Sequence, residues 1–353
     1  MFRFLALSLL AAAGLSVVAA PAPEGSAKST GILVLDNCDD QYHDKQEYND
    51  NLTLLDPVGR QAFRLSGFNN CESIGSSRMV AADPARKCIW VIENVAHRIR
   101  RFDLVGKETV TIPDVDGSAI AVDPDTGNVW ALASGGVIGK GETVVYDDKG
   151  KKVASYPIAG WDIAYDRQAK AFLIAERKLA KITAAEGEVV FSVDISTWCA
   201  SSVDVDPRNG ATWVAVRKHP HVHGSSNRLL KFDPDGNELV AIDLGQKTPF
   251  RVSVDPGNGS VWVAHFKKSV ERFSADGKSE AEHLVEALAV QVDPTGDNVW
   301  VVTPTEVQKM TPEGEVTKRL SHAGKTSQAW IASLTFAPSP LPAVDPFEKT
   351  TDH

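Results

Sequence analysis

Three histidines at alternate positions form the densest group of imidazoles in the chain. They lie in the stretch Arg217-Lys218-His219-Pro220-His221-Val222-His223-Gly224-Ser225-Ser226-Asn227. Imidazoles at that spacing could present two or three nitrogens to a divalent ion such as zinc, copper, nickel or iron, and His265 could join them. The stretch contains no Asp or Glu, so a solvated loop with incidental histidines is the competing reading. Acid–base chemistry would fall to Glu93 and Glu176, each at the end of an apolar run, with Asn94 beside the first. Their plainer role is to cap loops. Trp161, Trp198 and Trp330, with the cation Arg217, could hold a flat ligand; the tryptophans could equally plug a space. No Gly-x-Ser-x-Gly, phosphate-binding loop or HExxH is present. The sequence assigns no reaction.

The elements that place these residues come from one phrase, repeated. It reads AIAVDPDTGNVWALA from Ala119 and SVDPGNGSVWVA from Ser253, and recurs from Val80, Asp162, Val203 and Val290. Each copy is an alternating apolar run, a tight Asp-centred turn, then a second run: two β-strands and their connection. The turn residues Asp83, Asp123, Asp166, Asp206, Asp255 and Asp293 are 40, 43, 40, 49 and 38 residues apart. A second hairpin follows each phrase, as in RIRRFDLVGKETVTI from Arg98. Four strands per 40–45 residues is the period of a propeller blade.

The two ends decide the blade count. Gly31–Asp36 reads as a second strand and LTLLDPVGRQAFRL from Leu52 as the hairpin of strands three and four. The missing first strand is supplied by Ile331–Phe336, at the far end of the chain. The expected fold is therefore an all-β, seven-bladed propeller of four-stranded antiparallel blades, closed by a C-terminal strand completing the N-terminal blade. A six-bladed ring is the alternative. Trp90, Trp130, Trp213, Trp262 and Trp300 share one position in the second strand, with Phe172 read in their place in the third unit. A bulky ring repeated once per blade is what packing between twisted sheets requires. The Asp-Pro turns are read as structural too. In such a ring the loops between strands two and three share a face with the loops between blades. The irregular residues above all fall on that loop face, where function is expected.

The phrase ENVAHRIRRFDLVGKE at Glu93–Glu108, following VAADPARKCIWVI, resembles the NHL repeat. It is also similar to the repeats of streptogramin B lyases and of the SMP-30/gluconolactonase group. That resemblance implies a propeller used as a binding platform or as a metal-dependent enzyme. Streptogramin B lyases lead one to expect a Glu-x-His, and the chain has none. The Glu, Asn and Asp metal set of the SMP-30 group has partial echoes in Glu93, Asn94 and Asp36.

Residues 1–19 have the layout of a secretory signal: Arg3, an uncharged apolar run, then small residues before a cleavage point after Ala19. Residues 20–30 read as a linker, 31–337 as the propeller and 338–353 as a Pro-rich tail. No later run approaches the ~20 apolar residues of a membrane span. The net charge of −9, without a run of basic residues, argues against a nucleic-acid partner. Export permits disulfides, and Cys38 and Cys71, at either end of the N-terminal blade, are the pair expected to form one. Cys88 and Cys199 are not expected to meet. The expectation is an exported, monomeric propeller binding a small molecule or protein on its loop face. The alternative is a metal-dependent lyase or lactonase/hydrolase at the channel mouth, for which a divalent ion is the candidate cofactor.

Overall fold

The computed structural model describes residues 31–38, 50–55, 61–68, 78–133, 141–218, 226–294, 296–321 and 329–337. These residues form seven four-stranded antiparallel sheets, with no helix among them. Six sheets each take four consecutive strands: blade I at 80–113, II at 117–156, III at 162–194, IV at 198–245, V at 249–283 and VI at 289–321. Blade VII is composite. Ala329–Ala337 pairs with Gly31–Cys38, which pairs with Asp50–Leu55 and then Gln61–Phe68. The register sets Gly31 opposite Ala337 and Val34 opposite Leu334. Each innermost strand lies against that of the next blade through the whole circuit, including VI against VII and VII against I.

The turns form because Asp carboxylates satisfy amides that the chain reversal would otherwise strand. Asp83 Oδ1 accepts the Arg86 N–H at 3.0 Å, Asp206 Oδ1 that of Arg208 at 3.0 Å, and Asp255 Oδ1 that of Gly257 at 2.8 Å. Asp233-Pro234-Asp235-Gly236 is likewise a hairpin turn, with Asp233 Oδ1 accepting the N–H groups of Asp235 and Asn237. Gly236 there takes φ +88°, which a side chain would strain.

The five repeat tryptophans are buried, each facing the following blade. Four of them carry a further device. Opposite Trp90, Trp213, Trp262 and Trp300 on the third strand stand Arg101, Lys231, Arg272 and Lys309. Each cation lies 5.0–5.8 Å from its indole ring centre. Three also donate to a turn carbonyl of the next blade: Arg101 to Asp148, Lys231 to Ala275 and Arg272 to Pro312. Cation, indole and carbonyl together tie one blade to its successor.

Blade III corrects the expectation for Phe172. Leu173, not Phe172, stands seven residues after the turn Asp166, as Trp90 does after Asp83. Leu173 faces blade IV among Val203, Val214 and Leu230, whereas Phe172 faces back and stacks on Trp130 at 4.3 Å. Neighbouring residues on a strand point to opposite faces, so a one-residue misalignment reverses the packing direction. Lys181, opposite Leu173, then falls into line with the other cations and donates to Pro234 O of blade IV.

Candidate functional site

An innermost strand has one unpaired edge, and its N–H groups need acceptors. In blades IV to VI they come from the preceding blade. Val203 N–H donates to Asp162 Oδ2 at 2.9 Å, Val252 N–H to Ser202 Oγ at 3.3 Å, Val254 N–H to Asp204 Oδ2 at 2.8 Å and Val292 N–H to Ser253 Oγ at 3.0 Å. Arg78, just before the first strand of blade I, completes this belt from the far side of the ring. Its Nη2 donates to Val203 O at 2.7 Å and to Asp204 Oδ1 at 3.1 Å, and its Nε lies 3.4 Å from Asp162 Oδ1. Arg251 Nη1 approaches the same Asp162 oxygen at 3.7 Å. Burial acts to lower the pKa of Arg78, but Asp162 and Asp204 more than reverse it and the net shift is upward. For Arg251 burial prevails over Asp162 and brings the pKa down to about 10. Two guanidiniums and two carboxylates thus balance in the middle of the ring. They brace it.

At the loop face, the same inter-blade position is filled differently from blade to blade. Three residues after the tryptophan position, blade I has Glu93, blade III Glu176 and blade V His265. Glu93 is fully buried and clasped by Arg98, at 2.9 and 3.1 Å, and by Arg100 at 3.4 Å. Arg100 also pairs with Glu108 at 2.6 Å. In blade V, His265 is fully buried with Nε2 3.1 Å from Glu271 Oε2. Glu271 also receives Lys247 Nζ at 2.8 Å and Ser279 Oγ at 2.7 Å. Burial alone would raise the Glu271 pKa, yet His265, Lys247 and Ser279 hold it at about 2.

Blade III leaves the position open. Where blade I has Arg100, opposite Val91, blade III has Ala180, opposite Ile174; where blade I has Glu108, opposite Phe102, blade III has Val189, opposite Ile182. The result is a cleft of about 320 Å³. Its polar wall is Glu176, Arg177, Lys178 and Ser192, and its apolar wall includes Ile158, Ala180 and Val189. Glu176 makes no salt bridge among the described residues.

The residues singled out in the sequence divide accordingly. Glu176 lines the cleft. Glu93 is a buried ion-pair partner, not an accessible acid, and Asn94 lies half-buried in the turn beside it. His265 is engaged by Glu271, and no group of three His, Cys, Asp or Glu able to hold a metal ion occurs among the described residues. His219, His221 and His223 lie outside those residues. Trp161 is 41% exposed, directly before Asp162. Trp198 and Trp330 begin the innermost strands of blades IV and, one residue in, VII; only their backbone is described. Arg217 sits opposite Cys199, and its burial lowers its pKa. Cys38 lies in the second strand of blade VII while Cys71 is outside the described residues, so their pairing is too. Cys88 and Cys199 are free thiols.

Sequence reasoning passed over Arg78, Asp162, Asp204 and Arg251. One signal was available: aligned on the turn aspartates, the innermost strands have charged residues where others have Ala, as at Ala119, Ala121 and Ala164.

No family model and no curated protein matches the chain. Among solved structures it is similar to Raptor of Chaetomium thermophilum, with 12% identity and a TM-score of 0.63. The match covers 77% of this chain and 27% of that one. At that identity the likeness shows the propeller fold alone. It does not single out the NHL group or its relatives.

Proposed function

We propose that the chain is an exported, NHL-like propeller that binds a ligand or protein through its loop face. One observation carries the reading: the two faces of the ring are built differently. The turn face repeats Asp-capped turns whose polar groups are satisfied internally. The loop face has the blade III cleft, with the carboxylate of Glu176 on its wall, and the exposed Trp161. A concave, mostly apolar site with a few polar groups is the usual form of a binding site. Export is supported by the signal-like residues 1–19.

Crosslinking of the tagged chain in its own cells tests the binding face. Contacts should concentrate on the loop face and disappear in Trp161→Glu/Glu176→Lys, but persist in the turn-face variant Lys149→Glu/Asp235→Lys. Contacts confined to the turn face would sink the reading. Export predicts a mature chain beginning at Ala20 and recovered outside the cytoplasm.

A further inference from the structure

The cleft of blade III has the outline of a side chain that the chain itself supplies in blade I. Glu93 and Glu176 occupy the same repeat position, as do Arg98 and Lys178, Thr111 and Ser192. In blade I the space between Glu93 and the outer strand is filled by the Arg100 guanidinium, which bridges Glu93 and Glu108. Blade III lacks both Arg100 and Glu108, having Ala180 and Val189 in their places. The carboxylate on the wall remains.

We infer that the cleft receives an arginine side chain from an extended partner polypeptide, its guanidinium lying against Glu176 in the place that Arg100 takes beside Glu93. The cleft wall sets the Glu176 carboxylate beside Arg177 and Lys178; Glu176 is the group that would receive the guanidinium, with Lys178 standing where blade I has Arg98. A guanidinium matches a carboxylate in planar, two-pronged fashion, and its aliphatic stem covers apolar surface. Ala180, Val189 and Ile158 would take the stem. A polypeptide is favoured over a free cation by the outer strand Val189–Asp194. It is the open edge of its sheet, and Val189 and Val190 are about half exposed, at 53% and 52%. An edge strand with exposed apolar residues can accept a further strand through main-chain hydrogen bonds.

This inference rests on the loop-face reading but can fail separately. The test is calorimetric titration of the purified protein with the peptide acetyl-Val-Arg-Val-amide and its citrulline counterpart, which keeps the shape and loses the charge. The arginine peptide should bind at least about tenfold more tightly than the citrulline one. Glu176→Gln should remove most of that difference. Ala180→Arg/Val189→Glu, which rebuilds the blade I pair inside the cleft, should abolish binding while leaving the far-ultraviolet dichroism and thermal midpoint unchanged. If the rebuilt variant does not fold, Ala180→Leu, which fills the same space without charge, takes its place with the same expected loss. Equal binding of the two peptides, free arginine binding as tightly as the peptide, or binding that survives both Glu176→Gln and the filled cleft would overturn the proposal. Loop-face crosslinks that persist in the filled-cleft variant would overturn it while leaving the broader reading intact.

Discussion

Arg78, at the entry to blade I, donates to Asp204 in blade IV at 3.1 Å, across the centre of the ring. The two residues are 126 positions apart in sequence, and the bond joins blades that share no sheet. With Asp162 it ties together blades I, III and IV. Replacing Arg78 by Met should be among the most destabilising single changes in the chain. The fully buried Asp162 and the half-buried Asp204 would lose a counter-charge, and removing one partner of a buried pair costs about 3–5 kcal/mol. Denaturant unfolding of Arg78→Met against wild type measures it; a loss below ~1 kcal/mol would show that the brace is dispensable.

The repeated coupling of indole and cation predicts a graded response at Trp213. Its Nε1 has no acceptor among the described residues, so Trp213→Phe gives up an unsatisfied donor along with ring area. Phe should cost less than ~2 kcal/mol, whereas Ala, which leaves a large cavity, should cost about 3–5 kcal/mol. Thermal unfolding of the two variants checks the ordering.

Lys231 should behave as a tie between blades, not as a surface charge. It lies over Trp213 and donates to Ala275 O at 2.6 Å, and burial lowers its pKa. Lys231→Met keeps the stem and loses the donor, leaving the Ala275 carbonyl short of a partner. A loss of about 1–3 kcal/mol is expected, with Lys231→Arg retaining most of the stability because Arg101 and Arg272 do the same work in blades I and V.

Acid should weaken the fold through Glu271. Its pKa in the folded chain is about 2, against an ordinary value of 4.5. A depressed carboxylate pKa means stability that is fully present above the unfolded value and is lost as pH falls through the folded one. The wild-type protein should therefore lose stability between pH 4.5 and 2. In Glu271→Gln the slope over that window should be shallower, as followed by urea midpoints at stepped pH.

The composite seventh blade predicts sensitivity at the C-terminal end. Without Ala329–Ala337, the strand Gly31–Cys38 has an open edge and the ring loses an innermost strand. A chain ending before Ala329 should unfold at lower temperature and associate through the exposed edge, visible by calorimetry and light scattering. An unchanged midpoint would show that the seam contributes nothing.

Much of the architecture could be read before any coordinates. The period and the Asp-capped turns follow from local patterns, because hairpin strands and their turns are neighbours in sequence; the pairing of the two chain ends in blade VII follows from the one blade that lacks a first strand and the one strand left over. The misplacement at Phe172 shows the limit of that reading. Two adjacent apolar residues look alike as candidates for one position, and only the seven-residue distance from Asp166, or the packing against Trp130, separates them. Glu93 and Glu176 likewise look equivalent in sequence. Whether each has a partner depends on residues 4–15 positions further along, at Arg100 and Glu108 or Ala180 and Val189.

By itself the sequence determined a ring of like units, since each phrase has the strand period and turn chemistry that its own neighbours dictate. Tertiary structure alone decided which charges meet. Arg78, Asp162, Asp204 and Arg251 come from four different blades, and no spacing along the chain encodes an approach that arises from the curvature of the closed ring. The cleft beside Glu176 is likewise a property of two blades and the space between them, visible only once both are in place.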